Sequence, residues 1–242
     1  STGARAPIEK IGEVIKKFPD TVYIVDGVAA SAGEREYVDD MNIDILFTGS
    51  QKAFGVAPGL AIVWAGKKAL ARRKSLGTIP EYFIDFEKWI PIMNDPSKYY
   101  ATPAVNMVWA LKESVRLIKE EGLENVYKRI EILAKATREG ASALGLKIFA
   151  KSPSPAVTAI YAPEGIDGQK IYKTLWQKYG VTGAGGQDQL KGKIFRIATL
   201  GYADKYDVLT AVSALEFTLK DLGYQFDMGK GVSAAINVLK DL

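Results

Sequence analysis

Neither cysteine nor histidine occurs anywhere in this 242-residue chain. Without histidine there is no Ser-His or Cys-His nucleophile pair and no His-ligated metal site. Without cysteine there is no disulfide, which agrees with a reducing compartment. No apolar run reaches membrane-spanning length and no leader pattern opens the chain, so the expectation is a soluble, cytoplasmic protein with no membrane partner. An excess of one charge is missing as well, since Lys+Arg 32 against Asp+Glu 28 leaves only +4. Basic residues alternate with acidic ones, as in Lys119-Glu120-Glu121, which marks solvated helical faces and gives no nucleic-acid footprint. Any chemistry here must come from lysine, aspartate, tyrosine or a cofactor.

What is present is ample apolar material, 48% of residues, enough for one large or two modest cores. From Pro7 to Phe18 the residues Ile8, Ile11, Val14, Ile15 and Phe18 recur at helical spacing. "TVYIVD", "DILFTGS" and "GLAIVWAG" are short apolar runs rich in β-branched residues and read as buried strands. Because they are apolar throughout, a parallel sheet covered on both faces is expected, and hence an α/β class. A short helix follows from Lys67 to Arg73, then a long irregular stretch up to Pro103, of a length that is usually functional or interfacial. Two long helical patterns span 104–122 and 123–145. After Gly145 the pattern changes to an α+β texture, with strands at "AVTAIYA" and "KIFRIAT" and helices at 168–180 and 205–223. The "GAGG" at 183–186 lacks dinucleotide-binding spacing and reads as a turn between strands. The expected division is 1–125 for a first, ligand-binding domain and 126–242 for a smaller second domain.

Two residues stand where chemistry is expected in such a sheet. Ligands of open α/β sheets sit beyond the carboxyl ends of strands, where Asp26 and the turn Gly49-Ser50-Gln51-Lys52 both fall. A partly desolvated amine there is a nucleophile toward a carbonyl, and a neighbouring carboxylate suits a pyridine nitrogen. Ser50 and the amide of Gln51 suit a phosphate. Taken singly, each residue has an ordinary reading. A lysine at a strand end is most often an exposed charge, and an aspartate there a turn residue. Spacing alone favours the ordinary reading for each.

The segments "STGARAPIEKIGEVIKKF", "YIVDGVAASAGE", "NIDILFTGSQKAFGVAPGLAIV", "YYATPAV" and "LKGKIFRIATLGY" together resemble the class V aminotransferases that depend on pyridoxal 5'-phosphate (PLP), in particular the alanine–glyoxylate and serine–pyruvate (serine–glyoxylate) branch. The likeness runs over essentially the whole chain, and "GSQK" followed by "PG" is its most specific part. It implies fold type I, a large mostly parallel-sheet domain with a small α+β domain. The implied activity moves an amino group from alanine or serine to glyoxylate or pyruvate through a Schiff base on Lys52. Asp26 would pair with the pyridinium nitrogen, Val28 pack under the ring, and Gln51 contact the phosphate. Ser1 or Thr2 would lie near the ring hydroxyl. In the family's homodimer Tyr99 and Thr102 would reach the other subunit's phosphate, and Arg196 would clamp the substrate carboxylate, a task suited to a planar bidentate cation. Thr102 also reads as a helix N-cap before Pro103. The family carries a further N-terminal portion before "STG", so a truncated chain, inactive by itself, is expected. A scaffold of the same fold and a desulfurase-like lyase are the other readings; Gln51 in place of histidine and the absent cysteine count against the lyase.

Overall fold

The computed structural model describes residues 1–240 and 242. They form two compact units, one of residues 7–31 and 36–117, the other of residues 1–6, 32–35 and 118–242.

In the first unit α1 (Ile8–Ile15) lays Ile8 and Ile15 on a small core of Tyr23, Val25, Met41 and Ile43. The strands β1 (Ile24–Asp26) and β2 (Ile45–Gly49) pair in parallel, Asp26 opposite Phe47. The chain between them crosses over in successive turns, with no regular helix. β3 (Ala61–Ala65) returns antiparallel to β2, Gly49 opposite Ala61. The expected all-parallel arrangement therefore holds for β1 and β2 and stops there. The reason is length: the connection from Ser50 to Leu60 is shorter than a parallel crossover requires, so the strand can only turn back. Nor are both sheet faces covered, for Ile24 and Val63 are exposed.

Next come α2 (Lys67–Ser75), α3 (Phe86–Asn94) and α4 (Val105–Glu121). The stretch before Pro103 is thus more ordered than expected. Asp85 caps α3 by accepting the Glu87 N–H, and an aromatic knot ties the segment, with the Tyr100 hydroxyl and the Trp89 indole both donating to the Phe83 carbonyl.

The second unit holds α5 (Leu123–Ala143), β4 (Val157–Tyr161), α6 (Gly168–Tyr179), β5 (Ala184–Gly185), β6 (Ile194–Ala198), α7 (Lys205–Asp221) and α8 (Lys230–Leu239). Its sheet has the antiparallel order β4-β6-β5, so "GAGG" contains a short strand where a turn is expected. One face of this sheet is apolar. Ile160, Phe195 and Ile197 pack on Ile171, Leu175, Leu215 and Leu219 from α6 and α7. α7 starts at a capping box between Asp204 and Asp207, and α6 starts at an Asp167 cap and ends at Gly180 in the left-handed region, the start and stop devices its sequence shows.

Candidate active site

β1 and β2 are parallel neighbours, so their carboxyl ends lie at one end of the sheet. Asp26 closes β1, and its Oδ1 accepts the Val28 N–H at 2.9 Å, turning the chain sharply as it leaves the strand. Among the described residues its other oxygen has no partner. Lys52 sits half-buried three residues past the end of β2, and among the described residues its ammonium makes no hydrogen bond or ion pair. Val28 is half-buried, and Gln51 is exposed with its side chain folded back over Gly49.

The turn that carries Lys52 is shaped by Ser50. This residue is fully buried, and its hydroxyl donates to the Ala57 carbonyl at 2.7 Å while accepting the Leu60 N–H at 3.2 Å. Its backbone N–H reaches Leu60 O and its carbonyl takes the Val56 N–H. The Ser50 hydroxyl is therefore engaged inside the loop, and the phosphate contact expected of it from the sequence does not hold.

The remaining expected residues are placed as follows. Tyr99 and Thr102 are exposed in the first unit, and α4 begins only at Val105, so Thr102 lies short of the helix cap position expected for it. Ser1, Thr2 and Arg196 belong to the second unit. The Ser1 hydroxyl donates to Gln187 Oε1 at 2.6 Å, and Thr2 Oγ1 accepts the Ala4 N–H at 3.4 Å. Arg196 is half-buried on the middle strand between Ala159 and Ala184, its cross-strand neighbours. Its Nε donates to the Gly185 carbonyl at 3.0 Å, which fixes the plane of the guanidinium. Its terminal nitrogens have no partner among the described residues.

A family model described as "Aminotransferase class-V" matches residues 1–194. The chain belongs to the class-V aminotransferase family. It is 41% identical over 241 residues to an aminotransferase of Methanocaldococcus jannaschii, a match covering 99% of this chain and 62% of that protein. To the serine–glyoxylate aminotransferase of Arabidopsis thaliana it is 33% identical over 244 residues, 99% of this chain and 61% of the other. The crystal structure of the ureidoglycine–glyoxylate aminotransferase of Bacillus subtilis superposes with a TM-score of 0.92 at 32% identity, covering 99% of this chain and 63% of that one. The class-V chain thus spans about three-fifths of the length of the relatives it matches. Its fold is fold type I, that of these aminotransferases.

Some residues that shape the second unit around Arg196 were not picked out from the sequence. Glu34, buried, accepts from Arg5 Nε at 3.0 Å and from the Ser154 hydroxyl. Gly185 supplies the carbonyl that orients Arg196. A carboxylate directly after the small-residue run "AASAG" was the available signal for Glu34, because a charge set into a tightly packed turn needs a buried partner.

Proposed function

We propose that this class-V chain carries the reaction centre of a PLP-dependent aminotransferase that exchanges an amino group between a small amino acid, alanine or serine, and a 2-oxo acid, glyoxylate or pyruvate. The observation that carries the reading is that a Lys52 amine with no partner among the described residues and an Asp26 carboxylate with one oxygen likewise free among them both lie beyond the carboxyl ends of neighbouring parallel strands. That donor set fits PLP: the amine suits its aldehyde and the carboxylate its ring nitrogen.

Bound PLP supplies an aldehyde that takes up the amino group and a ring that accepts electrons. The work of this chain's own residues follows from their chemistry. Lys52 Nζ would hold the cofactor and carry the proton taken from the substrate Cα. Asp26 would keep the ring nitrogen protonated, and its Oδ1 already accepts the Val28 N–H. Val28 would pack under the ring, Gln51 would reach the phosphate, and Ser1 or Thr2 the ring hydroxyl. Arg196 would bind the substrate carboxylate with its two terminal nitrogens, since Nε is already spent on Gly185 O. As a cytoplasmic homodimer, the protein would offer Tyr99 and Thr102 to the other subunit's phosphate; the exposure of Ile84, Met93 and Trp109 supports a subunit contact on this side of the first unit.

The test is Lys52→Ala. Added PLP should give the native protein a visible absorption band, which borohydride should bleach while leaving the cofactor covalently attached to Lys52, and the variant should lack the band and lose amino transfer by about 10³-fold or more. A variant that keeps both would end the proposal, and a native protein with no band would leave the fold without this chemistry.

A further inference from the structure

The second unit's sheet has one face buried under α6 and α7 and another that carries Ala159, Arg196 and Ala184 side by side. The first residues of the chain cross that second face. At one side Gly3 meets β4 so closely that a Cβ on it would sit 2.9 Å from the Val157 carbonyl and 3.2 Å from the Ala159 Cβ. At the other side the Ser1 hydroxyl is bonded to Gln187, two residues past β5. In the order β4-β6-β5, a segment held at both outer strands must pass over the middle one, and the packed face is closed to it. Residues 1–3 therefore run over the face of Arg196.

What pins this segment is a buried cluster. Arg5 N–H donates to Ser152 O at 2.9 Å, Ser154 N–H donates to Gly3 O at 2.8 Å, and Ala4 bridges Pro153. Beneath these backbone contacts the Glu34 carboxylate, with a side chain only 5% exposed, accepts from both Arg5 Nε and the Ser154 hydroxyl. Ser154 Oγ in turn accepts the Ala156 N–H at 3.0 Å, at the entry to β4. One carboxylate thus joins the crossing segment to the loop that feeds the strand beside Arg196. Every residue named here lies in the same compact unit.

We propose that Glu34 is a positioning residue for Arg196: through Arg5 and Ser154 it holds residues 1–5 across the sheet and so walls one side of the site where Arg196 takes the substrate carboxylate. This rests on the reading of Arg196 given above. Arg196 is already aimed by Gly185 O, so loss of the clamp leaves the guanidinium charged and present but opens its surroundings to water, and the carboxylate is held less tightly.

The experiment uses the PLP-loaded protein with alanine and glyoxylate, and compares Glu34→Gln, Ser154→Ala and Arg196→Lys. Glutamine keeps the volume and one acceptor but drops the charge. Glu34→Gln should raise KM for both substrates about tenfold with kcat within about twofold, and Ser154→Ala should move KM the same way by less. Backbone amides of Arg5 and Ser154 should exchange hydrogen faster in both variants. Should Glu34→Gln fail to fold, Ser154→Ala carries the test. Faster exchange with unchanged KM overturns the proposal, as does a fall in kcat that matches the loss of thermal stability. Arg196→Lys separates the two layers: if it leaves KM unchanged, the carboxylate reading itself falls; if it raises KM while Glu34→Gln does not, only the clamp falls.

Discussion

At Gly12 a methyl group has nowhere to go. A Cβ there would stand 1.9 Å from the Met41 carbonyl oxygen, a backbone atom with no rotamer to escape through. Gly12→Ala should therefore lower stability by ~1–3 kcal/mol or more, even though alanine is the better helix former by ~1 kcal/mol. The shift in urea midpoint measures it, and an unchanged midpoint would mean α1 does not seat on Met41. Asp85 makes a different argument. Arg73 grips its carboxylate with Nε at 2.7 Å and an Nη at 2.8 Å, and this hydrogen bonding holds the Asp85 carboxyl below the usual carboxylate range. A lowered folded-state value means the stabilisation is complete above the unfolded carboxyl's ~3.9 and is lost as pH falls through the lower folded value. The melting-temperature advantage of the native protein over Asp85→Asn should be level above about pH 5 and shrink below about pH 4. An advantage independent of pH would mean the pair contributes packing alone. At this scale the β-branched runs of the sequence declare the two strands, one ending at Asp26 and the other at Gly49, three residues before Lys52. For Glu34 the sequence offered only a charge set after a run of small residues; the partner Ser154 lies 120 residues away, and no local spacing encodes that meeting.

Among the elements, α8 shows why one helix stayed hidden. Its first turn has no local cap: Gly229 precedes it, and the N–H groups of Gly229 and Val232 donate instead to Glu216 on α7, at 2.6 and 3.0 Å. Glu216 is itself buried, 2% exposed. A helix started by a carboxylate from another helix leaves no signature in its own residues. Glu216→Ala should remove the acceptor of two part-buried N–H groups, Gly229 and Val232, at ~1 kcal/mol each, and amide exchange along α8 should speed up before that of α5. Equal rates along both would mean the start of α8 is held otherwise. α3 was hidden for another reason, since Pro91 inside it and Pro80 ahead of it read as breakers, and its cap, Asp85, is set by Arg73 on α2. The long helices α4, α5 and α7, by contrast, were plain from apolar spacing alone.

Over the whole molecule the two units differ in how they are built. The second has a deep core in which Ile130, Leu133, Ile160, Phe195 and Leu215 are fully covered. The first relies on a cluster of four buried residues under a sheet with exposed Ile24 and Val63. Amides of α5, β6 and α7 should accordingly outlast those of β1 and β2 in hydrogen exchange by at least an order of magnitude. The reverse order would mean that buried area does not govern the openings. Of the candidate site, strand texture placed the amine and the carboxylate beyond strand ends, and the role expected of them came from the family resemblance. Which way β3 runs, and what crosses Arg196, are decided by loop length and by contacts remote in sequence.

The bracket around Ser50 has one more implication. Five hydrogen bonds between residues 50 and 60 tie the turn to itself, and the Ser114 hydroxyl adds a sixth from α4 to the Phe54 carbonyl. The lysine is mounted on a self-locking fitting, so evolution can rework the neighbouring surfaces freely and still find its ammonium at the same spot, whereas trimming a single hydroxyl at residue 50 would set that ammonium adrift.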